Sequence, residues 1–405
     1  LAGKRYIALD RTRTPLSRPL AVVDRRYTQG HRSSAQNGAC RQDLTRAHPK
    51  LSPVAVFRPS HARDKLGRSL AQRPHQMRLA LALSLTFALT APVQAGSCQG
   101  QNLIAALPPA ELATLQAQAT GPYDHGNFWQ ARKDGQLITL VGTYHMSDPR
   151  FDAVLADLAP YLAQAKALLV EAGPAEQAAL QSAVSHDPSL LYLTKGPTLP
   201  EQMPPLDWDQ VAQAVRARGI APFMAAKMQP WLLASMLELP ACLFPLPEGA
   251  DQGLDKRLMK TALAQGIPIA ALEPYDAILE IFAQIPPEDQ MAMLRHTVAM
   301  EARSEEMATT LSDSYFSGDS RLFWAYTGQA LLDLPGMTKA KADREMALID
   351  HAMISSRNVA WVPVLEKAAR QGPILAAFGA LHLPGDKGVL ALLAQNGWTI
   401  QALTP

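Results

Sequence analysis

The chain is poor in several things that would point to common functions. It has 3 cysteines in 405 residues, and none stand in a C-x-x-C pair. That excludes a zinc ribbon and a thioredoxin-like redox motif. Charged residues make up 18% and aromatic residues 6%, against 48% apolar. Such a composition excludes a long coiled coil and a disordered acidic chain, and leaves enough apolar material for a sizeable core. There is no nucleophile elbow, P-loop, dinucleotide fingerprint or H-E-x-x-H.

The net charge of +2 is divided unevenly. Residues 1–76 carry 16 Lys/Arg and 4 Asp/Glu, whereas residues 77–405 carry 22 and 32. The basic excess is therefore off the folding part, and a nucleic-acid partner is not expected. At the junction, Met77-Arg78 leads into an apolar run from Leu79, then Pro92-Val93-Gln94-Ala95-Gly96. A short positive region, an apolar stretch and small residues before a cut read as a secretory signal over 77–95. The run is shorter than the ~20 residues of a typical membrane span. A signal at this place makes residues 1–76 a mistranslated upstream extension or a disordered basic arm. It sends residues 96–405 to the periplasm, with no stable membrane span. There, Cys98 and Cys242 are expected to form a disulfide; Cys40 lies in the basic segment.

Beyond the signal, short apolar strands alternate with helices. A hairpin is expected over 129–141, turning at Asp134-Gly135. Its second strand runs into Gly142-Thr143-Tyr144-His145. Further strands over 166–170, 267–272 and 374–378 end near Glu171, Glu273 and the stretch Gly379-Ala380-Leu381-His382. A last strand covers 398–403. The helices include one after Pro149 with Leu155, Leu158 and Leu162 on one face, one from Gly253 to Gly266, and a charged, helix-rich insertion around 283–345. The pattern predicts an α/β (or α+β) domain: a central sheet surrounded by many helices.

Ligands in such sheets gather outside strand ends. Gly-x-x-His occurs there twice, at His145 and His382, and each glycine allows a sharp turn or a close approach. Two neutral imidazoles and a carboxylate make a catalytic metal site with an open position. Glu171 is the first choice of carboxylate and Glu273 the second. The same groups work without metal if His145 is a general base and Glu171 orients it. Asp148 and Asp255 stand where helices begin and read as caps. Trp231 reads as packing, and the stretch 301–306 as a solvated helix face.

Several pieces resemble the TraB/GumN family, which includes the TIKI metalloproteases. They are Val141 to Asp148, Leu168 to Glu171, Gly253-Leu254-Asp255, Ala271 to Glu273, Arg357-Asn358 and Gly379 to Gly385. The resemblance covers residues 98–403. It implies an erythromycin-esterase/ChaN-like fold and a metal-dependent hydrolase, peptidase-like, with manganese, cobalt or zinc as its ion. By that resemblance His145, Glu171 and His382 hold the ion. Glu171 or Glu273 moves the proton, Arg357 stabilises negative charge or a substrate carboxylate, and Asn358 positions either. The competing expectation is a periplasmic binding protein for a peptide, a sugar or haem, with Tyr144 as a haem ligand. A third is a structural partner in polysaccharide export.

Overall fold

A computed structural model of the chain describes residues 98–244 and 252–403. The basic segment 1–76, the signal over 77–95 and Cys40 lie outside the described residues.

The hairpin forms where it is expected. Strand β1 (Phe128–Lys133) pairs antiparallel with β2 (Gln136–Thr143). Asp134 and Gly135 take φ of 48° and 76°. Positive φ at both central residues is what a tight two-residue turn demands, and Asp-Gly supplies it at little cost. The remaining strands are β3 (Ala167–Val170), β4 (Ile269–Ala271), β5 (Ile374–Gly379) and β6 (Thr399–Ala402). Their order across the sheet is β4-β3-β5-β2-β1-β6. Strands β4, β3, β5 and β2 are mutually parallel, and β1 is antiparallel to both β2 and β6. The fold is α/β, as the sequence pattern predicts.

Parallel strands buried on both faces read as continuous apolar runs, and β3 and β5 do. Their side chains alternate between two cores. Leu169, Ala376 and Phe378 join Trp361, Leu365 and Leu390 on one face. The helices Ser356–Ala369 and Val389–Gln395 supply that cover. Leu168, Val170, Leu375 and Ala377 join Phe151, Leu158, Leu162, Leu254 and Leu258 on the other. Here the cover is the helices Phe151–Gln164 and Leu254–Ala264. A third core, around Leu199, Val215, Leu233 and Leu294, is helical throughout.

The four parallel strands all point their C-terminal ends the same way. Thr143 is in register with Gly379, and Val170 with both Ala377 and Ala271. The residues that follow each strand are therefore delivered to one edge of the sheet.

Cys98 and Cys242 are bonded. Trp231 packs, stacked on Phe282 with ring centroids 4.4 Å apart. The 301–306 stretch is not merely solvated: the buried Arg218 donates to both carboxylate oxygens of Glu301 at 2.8 Å. Asp148 accepts from the Arg150 backbone N–H and guanidinium, one turn before the helix that starts at Phe151.

Candidate active site

Each sequence-predicted residue lies at that strand edge or on the helix above it. Glu171 directly follows β3, Glu273 follows β4 by one residue, and the two histidines leave β2 and β5. Arg357 and Asn358 open the helix Ser356–Ala369. It is preceded by a π-helical stretch, Asp350–Ser355. Such wide turns recur at functional sites, because they rotate side chains out of the regular helical register.

The glycines of the two Gly-x-x-His turns do their work through close approach. Gly379 has φ of −49°, so left-handed backbone is not the reason for it. A Cβ on Gly142 would lie 2.7 Å from Leu383 Cδ1 and 3.0 Å from the Ala380 Cα and Cβ. The first turn thus packs on the second. A Cβ on Gly379 would lie 3.5 Å from Glu171 Oε1, 3.5 Å from His145 Nε2 and 3.6 Å from His382 Cδ2. All three side chains therefore surround one small space, within about 7 Å of one another.

Charge is tightly organised around that space. Arg357 donates from Nη2 to Glu171 at 2.6 Å, and from Nε and Nη2 to the two oxygens of Glu273 at 2.9 and 2.6 Å. Its Nη1 reaches the Met353 carbonyl at 3.1 Å and stands 3.4 Å from His382 Nε2. The fork of the guanidinium suits this two-carboxylate geometry, which a lysine would not reproduce. Gly379 N–H donates to the other Glu171 oxygen at 2.8 Å. Burial alone would raise the Glu171 carboxyl. His382, Arg357, His145 and the Gly379 amide outweigh it and hold the group at about 2.

His382 is 3% exposed and Asn358 0%. Asn358 Nδ2 donates to the backbone carbonyls of Lys387 and His382 at 2.9 and 3.3 Å, which turns its Oδ1 toward His382 Nδ1 at 2.7 Å. An amide oxygen only accepts, so Nδ1 carries the proton and Nε2 the lone pair. Burial keeps this imidazole neutral, pushing it down to about 3. His145 is different, with 60% of its side chain accessible. Burial lowers its pKa, but Asp255 and Glu171 more than reverse this, and the net direction is upward.

Asp255 and Trp361 belong to the site and sequence reasoning did not place them there. Asp255 is not a cap. Gly253 holds the cap position, and Asp255 is the second residue of the helix. Its Oδ1 is buried without a hydrogen-bond partner and stands 3.4 Å from His145 Nδ1. Gly253 makes this possible: a Cβ there would fall 2.4 Å from the His145 carbonyl carbon and oxygen. Leu254 N–H also donates to the Tyr144 carbonyl at 3.0 Å. Trp361 donates from Nε1 to Glu273 at 3.0 Å, and its ring lies 4.4 Å from that of His382. Its spacing of four from Arg357, on one helix, was the available signal. Tyr144 stacks on Tyr315, centroids 5.6 Å apart, and burial first, with Asp148, pushes its phenol up to about 12.

The sequence model of the TraB/PrgY/gumN family matches residues 127–402. The chain belongs to this family. The match runs from just before β1 to the last residue of β6, so the whole sheet and every residue named around Gly379 lie inside it. No curated protein shows significant similarity to the chain. Family membership thus frames the site, and what the site does is argued from its chemistry.

Two tests bear on a metal. The donor set is suitable: two imidazoles, each with Nδ1 facing an oxygen (Asn358 Oδ1, Asp255 Oδ1), and an ionised carboxylate. Metal-ligating histidines characteristically donate their second ring nitrogen to such an acceptor, which fixes the tautomer and orients the ring. Spacing is the second test. Among the described residues no three such groups stand close enough to grip an ion as placed, and Arg357 lies against the His382 lone pair.

Proposed function

We propose that this TraB/PrgY/gumN family member is a metal-dependent hydrolase of the cell envelope, acting on peptide bonds. The observation that carries the reading is the convergence of His145, Glu171 and His382 on the space beside Gly379, with both imidazoles backed at Nδ1. His145 and His382 would hold a divalent ion through Nε2, with Glu171 as the third donor. Manganese, cobalt and zinc all suit imidazole and carboxylate. Such an ion supplies Lewis-acid polarisation of a carbonyl and acidifies water.

The chain's own residues supply the rest. Glu171 Oε1 spends one lone pair on the Gly379 N–H and keeps another, which is the one free to serve as the third donor at that space. Glu273 is less suited, since Arg357 and Trp361 occupy its oxygens. Arg357 holds both carboxylates in place and helps keep Glu171 ionised. Asn358 and Asp255 fix the ring orientation of His382 and His145. A periplasmic location is supported by the Cys98–Cys242 bond, which needs an oxidising compartment. Among the described residues no helix is long and apolar enough to cross a membrane.

The His145–Asp255 contact favours a second, metal-free reading. An accessible imidazole with a carboxylate behind Nδ1 and a raised pKa is the arrangement of a general base. The experiment separates the two: incubation of the purified protein with pooled peptides, before and after chelation, then with manganese, cobalt or zinc added back. Cleavage lost on chelation and restored by one of the three supports the proposal. Cleavage indifferent to chelation selects the His145–Asp255 base. No cleavage under any loading overturns peptide-bond hydrolysis.

A further inference from the structure

A cavity of about 210 Å³ lies beside Asn358. That is smaller than the roughly 300–1,000 Å³ of drug-sized sites, and suits a small metabolite. Two cations and two anions line it: Arg321, Lys387, Asp350 and Asp386. Here, among the described residues, none of the four makes a salt bridge. Arg321 spends only Nε, on the Ala119 carbonyl at 3.0 Å, and among the described residues its four terminal N–H donors have no acceptor.

The guanidinium is placed there by the backbone. Gly385, at φ of 89°, would put a Cβ 2.6 Å from Arg321 Nη1. The glycine that closes the second histidine motif, Gly379 to Gly385, thus leaves room for a cation at the cavity wall. Trp324 adds an aromatic wall.

We infer that this cavity binds a small zwitterion of the free α-amino acid class. Its carboxylate is received by Arg321 and Lys387, its ammonium by Asp350 and Asp386, and its side chain lies against Trp324. A guanidinium is well matched to a carboxylate, and the two anions of the lining match a second, positive group. The inference does not depend on the proposed hydrolysis.

Isothermal titration of the full chain with glycine, L-leucine and L-phenylalanine tests it, with N-acetyl-L-leucine and L-leucinamide as controls. At least one free amino acid should give saturable heat. Each blocked leucine should bind at least about tenfold more weakly than leucine, since each removes one charge-assisted contact. Arg321→Gln and Lys387→Gln should weaken binding by a similar factor, the latter without changing Tm. Lys387→Gln guards against misfolding, because only the backbone of that residue is used structurally. His145→Ala should bind as the unaltered chain does. Saturable heat from none of the three amino acids, equal binding of a blocked analogue, or loss of binding in His145→Ala would each overturn the inference.

Discussion

A methyl group at Gly379 would meet Glu171, His145 and His382 at 3.5–3.6 Å, which is ordinary contact distance. Gly379→Ala is therefore expected to fold with a Tm close to that of the unaltered chain. It fills the space the three side chains share, so hydrolysis should fall by about 100-fold or more, as misplacement of reacting groups typically does. Thermal melts beside a peptide-cleavage assay check both halves. Acid sensitivity follows from the same cluster. His382 titrates at about 3 when folded against an ordinary 6.5, and Glu171 at about 2 against 4.5. In both cases the unfolded chain takes up the proton at higher pH than the folded one, so stability falls as pH falls. The His382 part is lost from 6.5 downward toward 3, and the Glu171 part from 4.5 toward 2. Melts of chelated protein should thus show Tm declining between pH 7 and 4, with a flatter decline in His382→Asn. A Tm independent of pH in that range would contradict a buried neutral His382. Most of this cluster was legible in the sequence, because glycines and histidines recur at strand ends and Glu171 and Glu273 close two strands. Asp255 was not. An acidic residue beside a glycine at a helix start reads as a cap, and only the approach of that helix to His145 reveals its other partner.

The helix Leu254–Ala264 and the first histidine turn are fitted to each other through Gly253. A Cβ there would press on backbone atoms of His145, which cannot step aside as a flexible side chain would. Gly253→Ala is expected to lower Tm by several degrees and to lower hydrolysis by about tenfold or more, because it pushes Asp255 away from His145. Asp255→Asn, which keeps the shape, should leave Tm nearly unchanged while lowering hydrolysis. The pair separates displacement of the helix from loss of the carboxylate. Element boundaries were largely readable, since proline and glycine punctuate the chain: Pro230 opens one helix, and Gly219 and Gly266 follow the ends of two others with φ of 74° and 70°. The π-helical stretch Asp350–Ser355 carries no such mark. It contains neither proline nor glycine, so the local sequence gives no sign of it.

At the scale of the fold, a disulfide joins residues 144 apart in sequence, Cys98 and Cys242. It fastens the segment before the sheet to the helical layer that follows β3. Closing a long loop restricts the unfolded chain, and losing such a bond commonly costs about 2–5 kcal/mol. Urea unfolding with and without reductant should show a loss of that order, and Cys98→Ser should match the reduced protein. The topology explains why residues spread from His145 to His382 meet: four parallel strands end at one edge, and Glu171, Glu273 and both histidines follow them. The strand pattern made this edge foreseeable, whereas the role of Arg357 as the clamp between two carboxylates emerges only when β3 and β4 lie side by side. Metal content by mass spectrometry shows whether this edge holds a divalent ion. After reloading with manganese, cobalt or zinc, near one ion per chain is expected, lost in both His145→Ala and His382→Ala while each variant keeps its circular dichroism spectrum. No stoichiometric ion under any loading, or an ion retained in both folded variants, would contradict a metal site there.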